Sequence, residues 1–260
     1  MYLTIQGLVL RVTAYNDTDA LLTLLTPKHG KLTVKARGLR RKNSPLIAPC
    51  QLLAYGEFTL FEHRSIYTIN EASSIELFTP LRRDLQKLSL GTYFAQAAEL
   101  LSQEDMPNPE LLSLVLNCLF ALSKLNVPEN LVKAVFELRG ACLAGYAPDL
   151  YGCHRRGNPF PHRFDLSAGR LECDQCRNHD STGIRMPITA GMLESMHYIT
   201  TCDAKKLFSF EAGEATLEQL ASVTEGYLTT QLERGFTTLD FYKSLLVPPV
   251  ENCNTGEYNV

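Results

Sequence analysis

A chain of 260 residues, 45% hydrophobic and 20% charged, has the length of two modest domains and the composition of an ordinary soluble globular protein. No apolar run reaches the roughly 18 to 20 residues that span a bilayer, and the start, MYLTIQGLVLRVTAYND, lacks a basic leader and alternates like a strand, which argues against a signal peptide. The formal net charge of −3 neither favours nor excludes a polyanionic partner, and the eight cysteines are too dispersed for a secreted disulfide scaffold.

Residues 1–79 predict β structure. Residues 4–13 and 20–26 flank a polar turn at Asn16-Asp17, and Pro27 and Gly30 bracket a second turn before LysLeuThrValLysAla, residues 31–36. After a loop with Pro45 and Pro49, two further strands over 52–61 and 65–72 surround His63-Arg64. Five short strands are buried most economically in a small closed barrel, with a five-stranded OB-fold the first expectation and an SH3-like barrel the fallback. From Pro80 the period becomes helical: one helix to about Gln103 with Leu81, Leu85, Leu88, Phe94, Ala98 and Leu101 on one side, a second opened by Asn108-Pro109, and a third opened by Val127-Pro128 and stopped by Gly145. Cys118 and Cys142 fall in these runs as small buried hydrophobes. Pro187 to His197, Leu217 to Arg234 and residues 237–246 read as further helices. The fold class is therefore α+β: a barrel over 1–79, a helical domain over 80–247 interrupted at 151–184 by a cysteine-bearing segment, and a disordered tail over 248–260.

Two stretches carry chemistry. From Lys28 to Lys42, KHGKLTVKARGLRRK holds seven Lys and Arg and no acid, whereas from Asp203 onward nine acidic residues face four basic ones. The pattern predicts a basic N-terminal surface apart from an acidic region. Alternation puts Lys31 and Lys35 on one strand face with Thr33, while Arg37, Arg40, Arg41 and Lys42 crowd the loop, where Gly38 leaves room for a phosphate. Cations on a barrel face suit a nucleic-acid backbone, with Tyr15, Tyr55 and Phe61 as candidate stacking partners; the competing reading is a solvated charged loop. In the second stretch, Cys173-Asp-Gln-Cys176 can grip one ion from a tight turn, with Cys153 nineteen intervening residues upstream. The position three after Cys153 is Arg156, which cannot ligate. Either His154, His162 or His179 completes a Cys3His site for one structural zinc, or packing alone holds the loop. Catalytic motifs of the GxxxxGK, GxSxG and HExxH kinds are absent, so the reading is of a protein that is not an enzyme.

These residues carry a resemblance. GLVLRVTAYNDTDALLTLLTPKHGKLTVKARGLRRKNS resembles the N-terminal OB barrel of the RecO family of bacterial recombination mediators. GlyTyrAlaProAspLeu, then Cys153, GlyArgLeuGluCysAspGlnCys and ArgMetProIle, is similar to that family's junction of helical domain and zinc-binding segment. The resemblance implies a cytoplasmic, nucleoid-associated DNA-repair factor without catalysis. It would bind single- and double-stranded DNA, anneal complementary strands, and with RecR, and often RecF, load RecA onto strands coated by single-stranded DNA-binding protein (SSB), whose acidic C-terminal tail the family contacts. It carries over basic residues at Arg11, Lys35, Arg37, Arg40 and Arg41, and three of four zinc cysteines at Cys153, Cys173 and Cys176, the fourth falling on Arg156. The alternative is a helical scaffold whose barrel binds RNA or a protein.

Overall fold

A computed structural model describes residues 2–176 and 183–246. The tail expectation for 248–260 lies outside the described residues, as does His179. Five strands, β1 (Tyr2–Ala14), β2 (Ala20–Thr26), β3 (Gly30–Ala36), β4 (Tyr55–His63) and β5 (Ile66–Glu76), close a barrel in the order β1-β2-β3-β5-β4. All neighbours are antiparallel except β3 and β5, whose parallel pairing matches Lys35 with Thr68. Ile5, Val9, Leu22, Leu24, Val34, Phe58 and Leu60 fill the barrel interior. The β2 run ALLTLLT does not alternate because both its faces are covered. Leu22 and Leu24 point into the barrel, and Leu25 joins Leu8, Leu10 and Leu53 in packing against the helices. The barrel is thus joined to the helical unit through these outer-face leucines, while its interior forms a separate apolar cluster.

The helices are α1 (Leu85–Leu101), α2 (Pro109–Lys124), α3 (Glu129–Leu143), α4 (Ala190–Thr201), α5 (Glu214–Gln231) and α6 (Thr237–Leu246). Pro109 opens α2 as expected, with the Asn108 side chain accepting the Leu111 N–H. Boundaries of α1, α4 and α5 differ from expectation, α5 running Glu214–Gln231 where Leu217 to Arg234 was expected. Residues 79–83 form a separate 3-10 turn, because Asp84 accepts the N–H groups of Gln86 and Lys87 and starts α1 only at Leu85. Leu81 is buried from that turn, and Leu85 lies 57% exposed instead of on the apolar side. Pro187 belongs to a strand, and Thr189 caps α4, so that helix begins three residues later. Cys118 is buried as expected, but Cys142 only partly so.

Between α3 and α4 the chain forms a small sheet of β6 (Asp149–Cys153), β7 (Arg163–Asp165), β8 (Arg170–Glu172) and β9 (Arg185–Pro187), ordered β6-β8-β7-β9. Pro187 is tolerated because β9 is an edge strand. No helix among the described residues is long and apolar enough to cross a membrane.

Candidate nucleic-acid interface and thiol cluster

The basic stretch is ordered by the turn that precedes β2. The Asn16 side chain accepts the N–H groups of Thr18 and Asp19 at 2.9 and 2.7 Å, an Asx turn that aims the Asp19 carboxylate across the barrel mouth. Asp19 accepts the Gly38 N–H at 2.9 Å and pairs with Lys35 Nζ at 3.2 Å. The Gly38 N–H is the main reason the Asp19 carboxyl sits well below its ordinary range; burial opposes it, and Lys35, Asn16 and Thr18 add to it. Gly38 needs its left-handed φ of 66° to present that N–H. Arg40 completes the tether, its backbone N–H meeting the Thr18 carbonyl at 3.0 Å and its guanidinium the Asn16 carbonyl at 2.6 Å. Two sequence features far apart in the chain, the AspThrAsp turn and the AlaArgGly loop, are therefore one structure.

The seven nominated cations fall into three groups. Arg11 pairs with Glu99 of α1 at 2.9 Å, and Lys31 Nζ donates to the Glu99 carbonyl at 3.1 Å, so both face the helical unit. The HisGlyLys turn is part of the same seam: the Lys31 N–H meets the Gln103 carbonyl, and a Cβ on Gly30 would stand 2.3 Å from the Met106 carbonyl oxygen. Lys35 is held by Asp19 and lies 4.5 Å over the Tyr15 ring. Arg37, Arg40, Arg41 and Lys42 are exposed, and Arg11, though paired with Glu99, is 58% exposed as well.

Of the three candidate stacking rings, Tyr15 is 59% exposed beneath Lys35 and Phe61 is 40% exposed. Tyr55 is half-buried and donates to Gln6 Oε1. Sequence reasoning passed over Tyr2, His63 and Ile66, which share the outer edge of the barrel with Phe61. The available signal was alternation in β4: Phe58 and Leu60 point inward, which puts the apolar Phe61 outside.

In the cysteine segment the Sγ atoms of Cys153, Cys173 and Cys176 all lie within 4.8 Å of one another and are buried. Cys176 is 3.6 Å from each of the other two sulfurs. Thiolates around a tetrahedral zinc, with Zn–S near 2.3 Å, stand about 3.8 Å apart, so the cluster matches one face of such a site. Burial pushes the Cys153 thiol up, but N–H groups of Cys173, Arg156 and Arg155 outweigh it and bring it down to about 7. Burial, reinforced by the neighbouring sulfurs, pushes Cys176 up to about 11. Arg156 does not approach as a ligand; its guanidinium donates to Gln175 Oε1 at 2.8 Å and ties the two knuckles together. Two of the three histidines stay away: His154 Nε2 is 3.0 Å from the Arg170 guanidinium, and neither it nor the exposed His162 joins the cluster.

Comparison with known proteins covers both halves. A family model described as Recombination protein O N terminal matches residues 1–78, and Recombination protein O C terminal matches residues 82–240. The DNA repair protein RecO of Acetivibrio thermocellus is 34% identical over 250 residues, covering 94% of this chain and 97% of that one. Its namesake from Alkaliphilus metalliredigens is 30% identical over 248 residues, 94% of this chain and 100% of the relative. That of Bacillus pumilus is 28% identical over 229 residues, covering 87% and 88%.

Proposed function

The chain belongs to the RecO family of DNA repair proteins, and from that premise we propose that it is a non-catalytic recombination mediator. It binds single- and double-stranded DNA, anneals complementary strands and, with RecR and in some settings RecF, loads RecA onto single strands coated by SSB, whose acidic tail it contacts. The observation that carries the reading is the loop of Arg37, Arg40, Arg41 and Lys42, exposed and pinned to the Asn16–Asp19 turn. An annealing protein must hold phosphates while leaving base edges able to pair, and a fixed array of cations does that. Arg11 and Lys31 also tie the barrel to α1 through Glu99, and with Arg11 58% exposed they extend the phosphate contacts that the loop supplies.

We also propose that Cys153, Cys173 and Cys176 hold one structural zinc ion, which would lock the two knuckles of the insertion together. The whole would work in the cytoplasm at the nucleoid.

The test is the salt dependence of binding to a labelled single strand. Removing three phosphate contacts in the variant Arg37→Ala, Arg40→Ala, Arg41→Ala should flatten the slope of log affinity against log salt by about 2, at every sequence tried. An unchanged slope would remove the loop from the mechanism. A helical scaffold would differ in the parent chain already, accelerating no duplex formation between complementary strands.

A further inference from the structure

Strand register sets four outward-facing residues side by side across the barrel: Lys35 on β3, Thr68 on β5, Phe61 on β4 and Tyr2 on β1. The row is cationic at one end and aromatic at the other. The Tyr2 and Phe61 rings are 5.3 Å apart, and His63 lies 6.5 Å beyond Phe61 with its plane only 7° from parallel. Tyr2 is 64% exposed and Ile66, across the turn, 60%. These side chains, with Arg37, Thr68 and Asn70, line an open cavity of about 390 Å³.

Three features mark this edge as more than leftover surface. Outward positions of a barrel strand face water and are normally polar. The next two outward rows obey that rule, with Thr4 beside Thr59 and Gln6 beside Glu57, so the aromatic pair of Tyr2 and Phe61 stands apart from its row neighbours on the side of Arg37. The turn between β4 and β5 has Arg64 and Ser65 in left-handed backbone, φ 50° and 60°. Such a turn is ordinarily made by Asn-Gly, so a non-glycine pair there is strained, and it places Arg64 at the tip between His63 and Ile66, which line the cavity. On this face the carboxylates nearest the rings lie to one side, Glu71 opposite Thr59 and Glu57 one outward position further along β4, while Glu62, between Phe61 and His63, alternates to the other face and Asp19 is paired with Lys35. Glu71 and Glu57 would repel phosphates from the middle of the sheet and leave the edge towards Arg37 as the open path.

We propose that Tyr2 and Phe61, flanked by His63, form a stacking platform for unpaired bases of a single nucleic-acid strand, whose phosphates continue across Arg37 to the basic loop. The proposal rests on the nucleic-acid reading of that loop and adds a selectivity to it. A cationic loop takes any phosphate backbone. A base inside a duplex has both faces covered by its neighbours and cannot reach an aromatic ring, so the platform favours single strands. It needs no particular base, because each has a π face.

The sequence contains no tryptophan, so Phe61→Trp places a lone indole at the platform of the full-length chain. Labelled oligothymidylate, an abasic strand of equal length and a blunt duplex would be titrated, reading binding from label anisotropy and stacking from indole emission. The expected result is quenching by oligothymidylate alone, although all three bind. The variant Tyr2→Ala, Phe61→Ala, at positions too exposed to be needed for folding, should weaken oligothymidylate binding by about tenfold while leaving the abasic strand and duplex within about twofold. Oligothymidylate that binds without quenching, or a variant weakened equally for all three, overturns the platform and leaves the basic loop standing. Binding to none of the three by the parent chain overturns the loop reading and the platform with it. Emission that instead responds to an added peptide assigns the patch to a protein.

Discussion

The barrel and the helical unit hold charge in opposite ways. In the barrel the cations of the basic loop stay in water, and what orders them is a set of hydrogen bonds at the surface, centred on Asp19. In the helical unit, Lys133 is buried, pairing with Glu137 at 2.9 Å and Glu225 at 2.8 Å and donating to the Ala221 carbonyl. Tyr93 and Thr224 donate to the Glu137 carboxylate, which has no exposure at all. Burial pushes Glu137 up and Lys133 pulls it back, while the same cation, against burial, leaves Glu225 below its ordinary value. A charge meant for an outside ligand must keep its solvation until that ligand arrives, so it is held lightly. A charge that fixes how α3 and α5 meet is enclosed and fully partnered, at a desolvation cost that only complete hydrogen bonding offsets.

The largest expected effect follows from breaking the enclosed set. Lys133→Ala strands Glu137 without its cation in a closed core, and should destabilise the chain by about 3–5 kcal/mol in urea unfolding. Adding Glu137→Leu should recover much of that loss, because the pair is then absent instead of half present. If Lys133→Ala unfolds within about 1 kcal/mol of the parent, in the range of an exposed ion pair, the contrast between the two halves disappears.

A smaller, local effect belongs to the thiol cluster. Purified chain should contain about one zinc per molecule, and Cys173→Ser should lose it while α1, α2 and α3 keep their helical signal, since their core is built from other residues. Protein that is free of zinc yet unchanged in melting on addition of the ion would mean that packing, with the Arg156–Gln175 link, holds the segment alone.

How much of this could be read beforehand depended on the range of the interactions involved. The five strands and the starts of α2 and α3 rest on periodicity, proline and caps, all written within a few residues of where they act. Leu85 was misassigned because its period fits the apolar side, and only the side chain of Asp84, one residue earlier, stops the helix from including Leu81. The basic loop was visible as composition, but its division was not. That Arg11 and Lys31 meet Glu99, whereas Arg37 and Arg41 do not, depends on how the barrel docks on α1, which no local pattern encodes. The three thiols were legible from spacing, but that β8 brings Arg170 to His154, outside the thiol cluster, was not.

The smallest effect on stability is the most informative about the barrel. Asp19 has a folded pKa held below its ordinary 3.8, mainly by the Gly38 N–H. The folded chain therefore binds fewer protons there than the unfolded chain, and the stabilisation is fully present above that ordinary value. It is lost as pH falls through 3.8 towards the folded value. Exchange of the Gly38 amide should thus show steady protection between about pH 7 and pH 5 and lose it in more acid solution. Asp19→Ala should remove protection at every pH. The same variant separates two accounts of the loop at neutral pH. If only net charge governs DNA binding, deleting a carboxylate beside Lys35 tightens it. If the loop must be held in place to present Arg37, Arg40 and Arg41, the variant binds a few-fold more weakly despite its more positive charge. Weaker binding is the expected outcome. A tighter complex would mean that the surface hydrogen bonds of the barrel order nothing that the ligand uses, and that the two halves differ only in where their charges sit.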